Sequence, residues 1–427
     1  MSRQKPDPYK QQLATPTIPQ QHRIPPRDPD IYLSTSPWQT MSYPYELAQK
    51  SLLLEECFDK HGLLDYLPKY KAKYNPRKLP LRSLEDERAS AKFSRRVTCP
   101  ASNLIALPMT DNKEYFYRNK MEYALYWDNS EHCIRLAFHQ RNSHRKIPFT
   151  QSSIERPEIL AEATRIVDEL NAKHAQARDY QSLMIRCDQQ GTVASALFEK
   201  HKPHPVMPLL KDTLLGQTYT YSPNGFFQIN LPVYELALEE IQKHIITDEV
   251  LDLYAGVGTI GLSVAPGHRL TLVEVNKSAY TELVKNCEGS ANFDFGRIKP
   301  SAAGENHRSA IERTSGHNEI FPARNVSKNQ SSHFPQPILA KSEEATDFIT
   351  PNTTVILDPP RAGLNPKLID TLNSVKPPTI IYLSCNPVTQ ARDIAALAKN
   401  YKITKLQPFN FFPRTPHIEN LAILTAK

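Results

Sequence analysis

The sequence predicts an α/β protein: a doubly wound, Rossmann-like parallel sheet in the C-terminal half, preceded by a smaller α+β domain. Three observations carry this. From about Leu209 the chain alternates strand-like and helix-like runs, the pattern of a parallel sheet covered by helices. Between residues 115 and 208 two pairs of strand-like runs flank one amphipathic stretch. A G-x-G-x-x-G turn, Gly256 to Gly261, follows a strand run and opens a helix.

Composition bounds the rest. The chain has 427 residues, 40% of them hydrophobic and 23% charged, enough for two or three domains with their own cores. No apolar run reaches the length of a membrane span, and the polar start Met1–Lys5 is no secretory signal, so a cytoplasmic location is expected. Six cysteines (57, 99, 133, 187, 287 and 385) lack metal-like spacing, which argues for reduced thiols and no metal site. The formal net charge is +7. Lys69 to Arg96 holds ten Lys/Arg against three acids, interleaved with Tyr70, Tyr74 and Phe93. A nucleic-acid contact and a solvated basic face both explain this stretch.

In order, residues 1–45 carry nine prolines and little apolar periodicity, and read as a disordered extension. Residues 46–114 read as a helix to about Leu67 followed by the basic linker. Residues 115–208 form the α+β domain. Its first hairpin runs Phe116–Trp127 and Cys133–Gln140 about the turn Asp128-Asn129-Ser130; a helix follows at 158–177, then strands at 182–187 and 191–198. Arg118, Lys120, Arg135, His139, Arg141, Arg145 and Lys146 line the first strand pair with positive charge, and the domain leaves one sheet face for a partner. Residues 209–427 hold the doubly wound domain: a helix at 231–246 with Pro232 in its first turn, strands at 249–254 and 270–274, and a helix at 279–287. A polar insertion at 288–338 interrupts it. Strands resume at 353 and 379, then a helix through Leu397, and two closing strands at 404–412 and 420–425.

Four features carry chemistry. The glycine turn, with Glu274 ending the next strand, fits a dinucleotide or an adenosyl-methionine ligand equally well. Asp358-Pro359-Pro360-Arg361 ends a strand in a loop whose prolines hold φ fixed; a dinucleotide enzyme has no need of it. Cys385 sits at a strand end stopped by Asn386-Pro387, where ligands bind in open α/β sheets. One more buried thiol is the alternative there. Glu419 precedes the last apolar strand.

Together, Ser222 to Asn230, Asp252 to Gly261, Asp358 to Leu364, Leu383 to Pro387 and Phe412 to Glu419 resemble the RNA uracil-C5 methyltransferases, class I enzymes that use S-adenosyl-L-methionine (SAM). The segment Tyr117 to Tyr123 also looks like that family. The resemblance implies Cys385 as nucleophile toward C6 of uracil and Glu419 as the base for the C5 proton. It implies Gln228, Tyr254, Gly256, Gly258, Thr259, Glu274 and Asp358 as cofactor-binding residues. Thr259 stands where many relatives carry Asn. Asp252 is expected to anchor the glycine loop and His417 to hold its own loop; Phe226 and Phe227 are expected to be core, with stacking near the extruded base as the alternative. The Thr415-Pro416-His417-Ile418-Glu419 form is closer to the 23S ribosomal RNA branch than to the transfer-RNA branch. RNA is the expected partner and the chain is expected to be monomeric. Ribosomal-RNA members often hold an iron–sulfur cluster through closely spaced N-terminal cysteines; with only Cys57 and Cys99 in that region, none is expected. Two other readings stay open: an amino-methylating enzyme built on Asp358-Pro359-Pro360, and a catalytically silent RNA-binding or dinucleotide-binding protein.

Overall fold

The computed structural model describes residues 17–28, 35–68, 104–140, 143–149, 151–290 and 334–427. The basic stretch Lys69–Arg96, Cys99, Arg141 and residues 291–333 of the insertion lie outside them.

The first element is helix α1 (Tyr43–Asp59), opened by Pro44 in its first turn. An antiparallel sheet follows, built from β1 (Lys120–Asp128), β2 (Cys133–His139) and β3 (Lys146–Pro148), then, after helix α2 (Pro157–Ala172), β4 (Tyr180–Cys187) and β5 (Val193–Glu199). Its order is β3-β2-β1-β4-β5. The β1–β2 turn forms as its residues require: Asp128 Oδ1 accepts from the Ser130 backbone N–H at 2.9 Å, an Asx turn. Ile159, Ala163, Val167 and Leu170, one stripe of α2, pack on Tyr123, Leu136, Leu183 and Ile185 of the sheet.

The sequence pattern runs the large sheet from Leu209 onward, but β6 (Leu210–Leu214) and β7 (Gln217–Tyr221) form a separate two-stranded hairpin. Leu215 and Gly216 both have positive φ (47° and 84°), the two-residue turn that matches strand twist. A leucine in the first of those positions hides the signal.

The main sheet then follows: α3 (Leu231–Gln242), β8 (Glu249–Leu253), α4 (Thr259–Val264), β9 (Arg269–Glu274), α5 (Lys277–Glu288), β10 (Gln336–Leu339), β11 (Thr353–Leu357), α6 (Pro366–Val375), β12 (Thr379–Ser384), α7 (Pro387–Leu397), β13 (Tyr401–Phe409) and β14 (Glu419–Ala426). Its order is β10-β9-β8-β11-β12-β14-β13. β8 to β12 pair in parallel, whereas β14 runs against both its neighbours. The central strands are apolar on both faces because helices cover both, giving two cores, one under each layer.

Three expectations change. The proline-rich start is not wholly loose: among its described residues Trp38 and Met41 are buried with Ile18 and Tyr45, because those four apolar side chains have one another to pack on. Residues 336–338, assigned to the insertion, belong to β10, whose short Pro-containing edge strand lacks a strong β pattern. Helix α1 docks on α7 of the C-terminal sheet and so packs with that half of the molecule.

Candidate active site

The parallel pairing puts the carboxyl ends of β8, β9, β11 and β12 side by side, since Leu253 pairs with Leu357 and Leu357 with Tyr382. Each strand releases one residue there: Tyr254, Glu274, Asp358 and Cys385. This is the edge where ligands bind in open α/β sheets.

A cavity of about 380 Å³ opens at that edge. It is lined by the loop Asn224–Gln228, by Tyr254, Gly256, Thr259 and Glu274, and by Asn276, Glu282 and Asp358. Of the residues expected to bind cofactor, Gln228, Tyr254, Gly256, Thr259, Glu274 and Asp358 all line it; Gly258 does not. Gly258 lies under the loop at φ 91°, where a Cβ would meet Leu283 Cδ1 at 2.7 Å. It lets the loop sit close on α5. Tyr254, a non-glycine residue, is held at φ 68° as the chain leaves β8.

The loop is pinned by two acids. Glu274 accepts from the Gly256 N–H at 2.8 Å and the Asn276 N–H at 2.6 Å, one on each carboxylate oxygen. Asp252, fully buried, accepts from the Gly261 N–H at 2.8 Å, and burial pushes its carboxyl up to about 8. Thr259 shares a 2.8 Å hydrogen bond with the Tyr234 hydroxyl. Phe227 is core, stacked on Tyr221, but Phe226 is 76% exposed. Adjacent residues of an extended loop point opposite ways, so both cannot be core.

Cys385 and Glu419 meet because β14 is reversed. Ser384 pairs with Asn420, which sets Cys385, just past the end of β12, against Glu419 at the start of β14. Gln390 and Asn420 lock this corner: Asn420 donates to Gln390 Oε1 at 2.6 Å, while Gln390 donates to the Tyr382 and Asn420 carbonyls. Asn386 caps α7 through Val388 N–H and donates to the Arg361 carbonyl at 2.8 Å, tying the Asp358–Arg361 loop to Cys385. His417 lies edge-on to Phe412.

Electrostatically the corner is crowded with acids. Burial, then Glu419 and Asp358, pushes the Cys385 thiol up to about 12, while Arg361, hydrogen-bonded to it, pulls the other way. Burial and the nearby Asp358 hold the Glu419 carboxyl well above the usual range. Burial alone raises Asp358 to about 7. Among the described residues the cavity lining contains Glu274, Glu282 and Asp358 and no Lys, Arg or His. That charge disfavours a pyrophosphate and favours a ligand with positive centres, as a sulfonium and an ammonium supply. Sequence reasoning passed over Arg361, Asn386, Gln390 and Asn420. Arg361 and Asn386 stood inside motifs already singled out; Gln390 and Asn420 signal only through tertiary contacts.

An α/β sheet of this order, with its ligand cavity at the carboxyl edge, defines a class I methyltransferase fold. The solved structure of Pyrococcus abyssi tRNA (uracil-54, C5)-methyltransferase in complex with S-adenosyl-L-homocysteine superposes with a TM-score of 0.61 at 19% identity, covering 92% of this chain and 86% of that one. Residues 346–427 match the family model described as tRNA (Uracil-5-)-methyltransferase. An uncharacterized RNA methyltransferase of Prochlorococcus marinus is 25% identical over 74% of this chain and 80% of its own length. One of Nanoarchaeum equitans is 34% identical over 50% of this chain and 39% of its own length. The tRNA (uracil(54)-C(5))-methyltransferase of P. abyssi is 32% identical over 50% of this chain and 42% of that protein. The more identical matches thus span less than half the length of the relatives concerned. The direct match to the uracil-5-methyltransferase model is thus confined to residues 346–427, and the relatives that match over more of the chain are RNA methyltransferases by name.

Proposed function

We propose that this protein methylates C5 of a uridine in RNA, with SAM as donor and a transient bond between Cys385 and the base. What carries the reading is Cys385 lying close to Glu419, one step past the Ser384–Asn420 pair, beside an acidic cavity.

The cavity residues suit the donor chemically. Glu274 offers carboxylate oxygens to ribose hydroxyls while its backbone partners hold it still. Asp358 answers positive charge, and Gln228 and Tyr254 complete the polar wall. Bound there, SAM supplies an electrophilic methyl group. C5 of uracil is a weak nucleophile, and Cys385 corrects that. As thiolate, Sγ bonds to C6 and the C5=C6 electron pair shifts toward O4, leaving an enolate whose C5 takes up the methyl group as the methyl–sulfur bond breaks and S-adenosyl-L-homocysteine leaves. Arg361 favours the thiolate form by its charge and hydrogen bond. Glu419 then takes the C5 proton, the pair re-forms C5=C6, and the C6–S bond breaks to return the thiolate. The burial that raises the Glu419 carboxyl makes its ionised form a strong base.

For the RNA, the Thr415–Glu419 form supports 23S ribosomal RNA, whereas the named relatives act on position 54 of tRNA. The test uses purified protein, tritiated SAM, and tRNA and 23S transcripts side by side, mapping 5-methyluridine in each. Label confined to one transcript identifies the class, and label in neither removes the reading. 5-Fluorouridine RNA should trap a denaturant-resistant protein–RNA species, because fluorine cannot leave C5 as a proton. Cys385→Ala should abolish both methylation and this species; Glu419→Gln should accumulate adduct with methylated RNA. Full activity in Cys385→Ala would turn the reading toward an amino-methylating enzyme built on Asp358.

A further inference from the structure

Glu419 follows a loop whose backbone is gripped from outside the sheet. Four of its residues, Asn410, Phe412, Pro413 and Arg414, are held. The Asn410 side chain and the Phe412 carbonyl accept from Lys50 Nζ at 2.5 and 3.0 Å. The Pro413 carbonyl accepts from the Tyr117 hydroxyl at 3.0 Å. The Arg414 N–H donates to both Glu46 carboxylate oxygens at 3.0 and 3.1 Å, and the Arg414 carbonyl accepts from the Trp38 N–H at 2.9 Å. The Arg414 guanidinium donates to the Met41 carbonyl and pairs with Glu114.

This grip is costly. Glu46 and Lys50 are 0% exposed and Arg414 is 1% exposed. A loop that needed only tethering gains as much from apolar contacts, because burying charges cancels most of their attraction. A buried network of this kind, in which Arg414 Nε is the guanidinium atom left without a hydrogen-bond partner, instead holds one geometry through its other polar atoms. Arg414 sits at φ 66°, a strained conformation for a residue with a Cβ, and Glu46 meets its N–H from both oxygens. Pro416 stiffens the path from there to Glu419. The same helix, α1, packs on α7, which starts two residues after Cys385. It therefore touches the element behind the nucleophile and the loop before the base, yet does not line the cavity.

We propose that α1 and the turn before it, through Glu46, position Glu419 against Cys385 and so set the rate of C5-proton removal. This rests on Glu419 being the base. Glu46 is a positioning residue; it touches neither cavity nor reacting atoms.

The test separates the steps. RNA of the class that the unmutated protein methylates is transcribed with uridine tritiated at C5. Tritium release, methyl label in the denaturant-resistant adduct, and SAM affinity by calorimetry are measured for each variant. Glu46→Gln should keep SAM affinity and adduct formation, release tritium about ten- to a hundredfold more slowly, and accumulate adduct. Tyr117→Phe, which deletes one hydroxyl from the grip, should move the same way by less. Adduct formation and tritium release falling by one common factor, or neither changing, overturns the proposal. If Glu46→Gln does not fold, Tyr117→Phe decides by the same two criteria. Glu419→Gln is the control. Normal turnover in it removes the base reading and the positioning with it. Adduct build-up in it, alongside a proportional loss in Glu46→Gln, removes the positioning alone.

Discussion

Asp358 faces the cavity with its carboxyl raised to about 7 by burial, so near neutral pH it is divided between its two forms. A cation binds the ionised form better, and binding therefore expels a proton. SAM affinity should rise about tenfold between pH 6 and 8 and level off above, because the ionised fraction of such a carboxyl grows by about that factor over the range. Calorimetry across that range checks it. S-Adenosyl-L-homocysteine, which lacks the sulfonium charge, should show a weaker rise, and Asp358→Asn should show none for either. Glu274 gives a second residue-scale prediction. One oxygen holds the glycine loop at Gly256 and the other the Asn276 N–H, so Glu274→Ala loses the loop anchor together with the proposed ribose contact. Cofactor binding should weaken by about 1.5–3 kcal/mol, the range for charge-assisted hydrogen bonds, while nicotinamide dinucleotides bind neither form. Tighter binding of the dinucleotides would remove the donor assignment.

At the scale of elements, the strands were the more legible part. The Thr379–Ser384 strand announced itself by a β-branched and aromatic run stopped at Asn386-Pro387, and its span follows. Its antiparallel partner β14 was legible as a strand but not in direction, because a short apolar run carries no sign of which way it enters a sheet. That direction makes the site: a parallel β14 would carry Glu419 to the opposite edge from Cys385. Helix α1 shows the same limit. Leu54, Cys57 and Phe58 read as helical apolar spacing, and only packing reveals that they fill the core beneath α7. Phe58 is wholly buried there. Phe58→Ala should cost about 3–5 kcal/mol of stability, the range for emptying a core aromatic site. Thermal unfolding tests this; a loss within about 0.5 kcal/mol, as at a surface position, would mean that α1 rests loosely on the sheet.

For the whole molecule, charge is the property that matters. The net +7 equals the surplus of Lys69–Arg96, while the cavity is acidic. A surplus of that sign suits a polyanion, and the acidic cavity suits a cationic donor. If Lys69–Arg96 follows RNA phosphates, neutralising four of its Lys/Arg should reduce the log–log salt slope of RNA binding by roughly 3–4, at about 0.7–0.9 per contact. Selectivity among RNAs should hardly change, since phosphate contacts position without reading sequence. Filter binding across a salt series measures both, and an unchanged slope returns the stretch to a solvated basic face.

The amino-acid sequence by itself determined the class of fold and the chemical vocabulary of the site. Strand and helix periods are local, and the glycine turn, Asp358-Pro359-Pro360-Arg361, Cys385 and Glu419 are short runs that keep their meaning wherever the chain takes them. Tertiary structure alone decided which residues share a corner. The reversed strand brought Glu419 to Cys385, the Gln390–Asn420 pair locked the two strand ends, and Glu46 reached across 368 positions to hold the Arg414 backbone. Such contacts join residues far apart in sequence through single hydrogen bonds. They leave no periodicity and no composition behind, so nothing short of the folded chain records them.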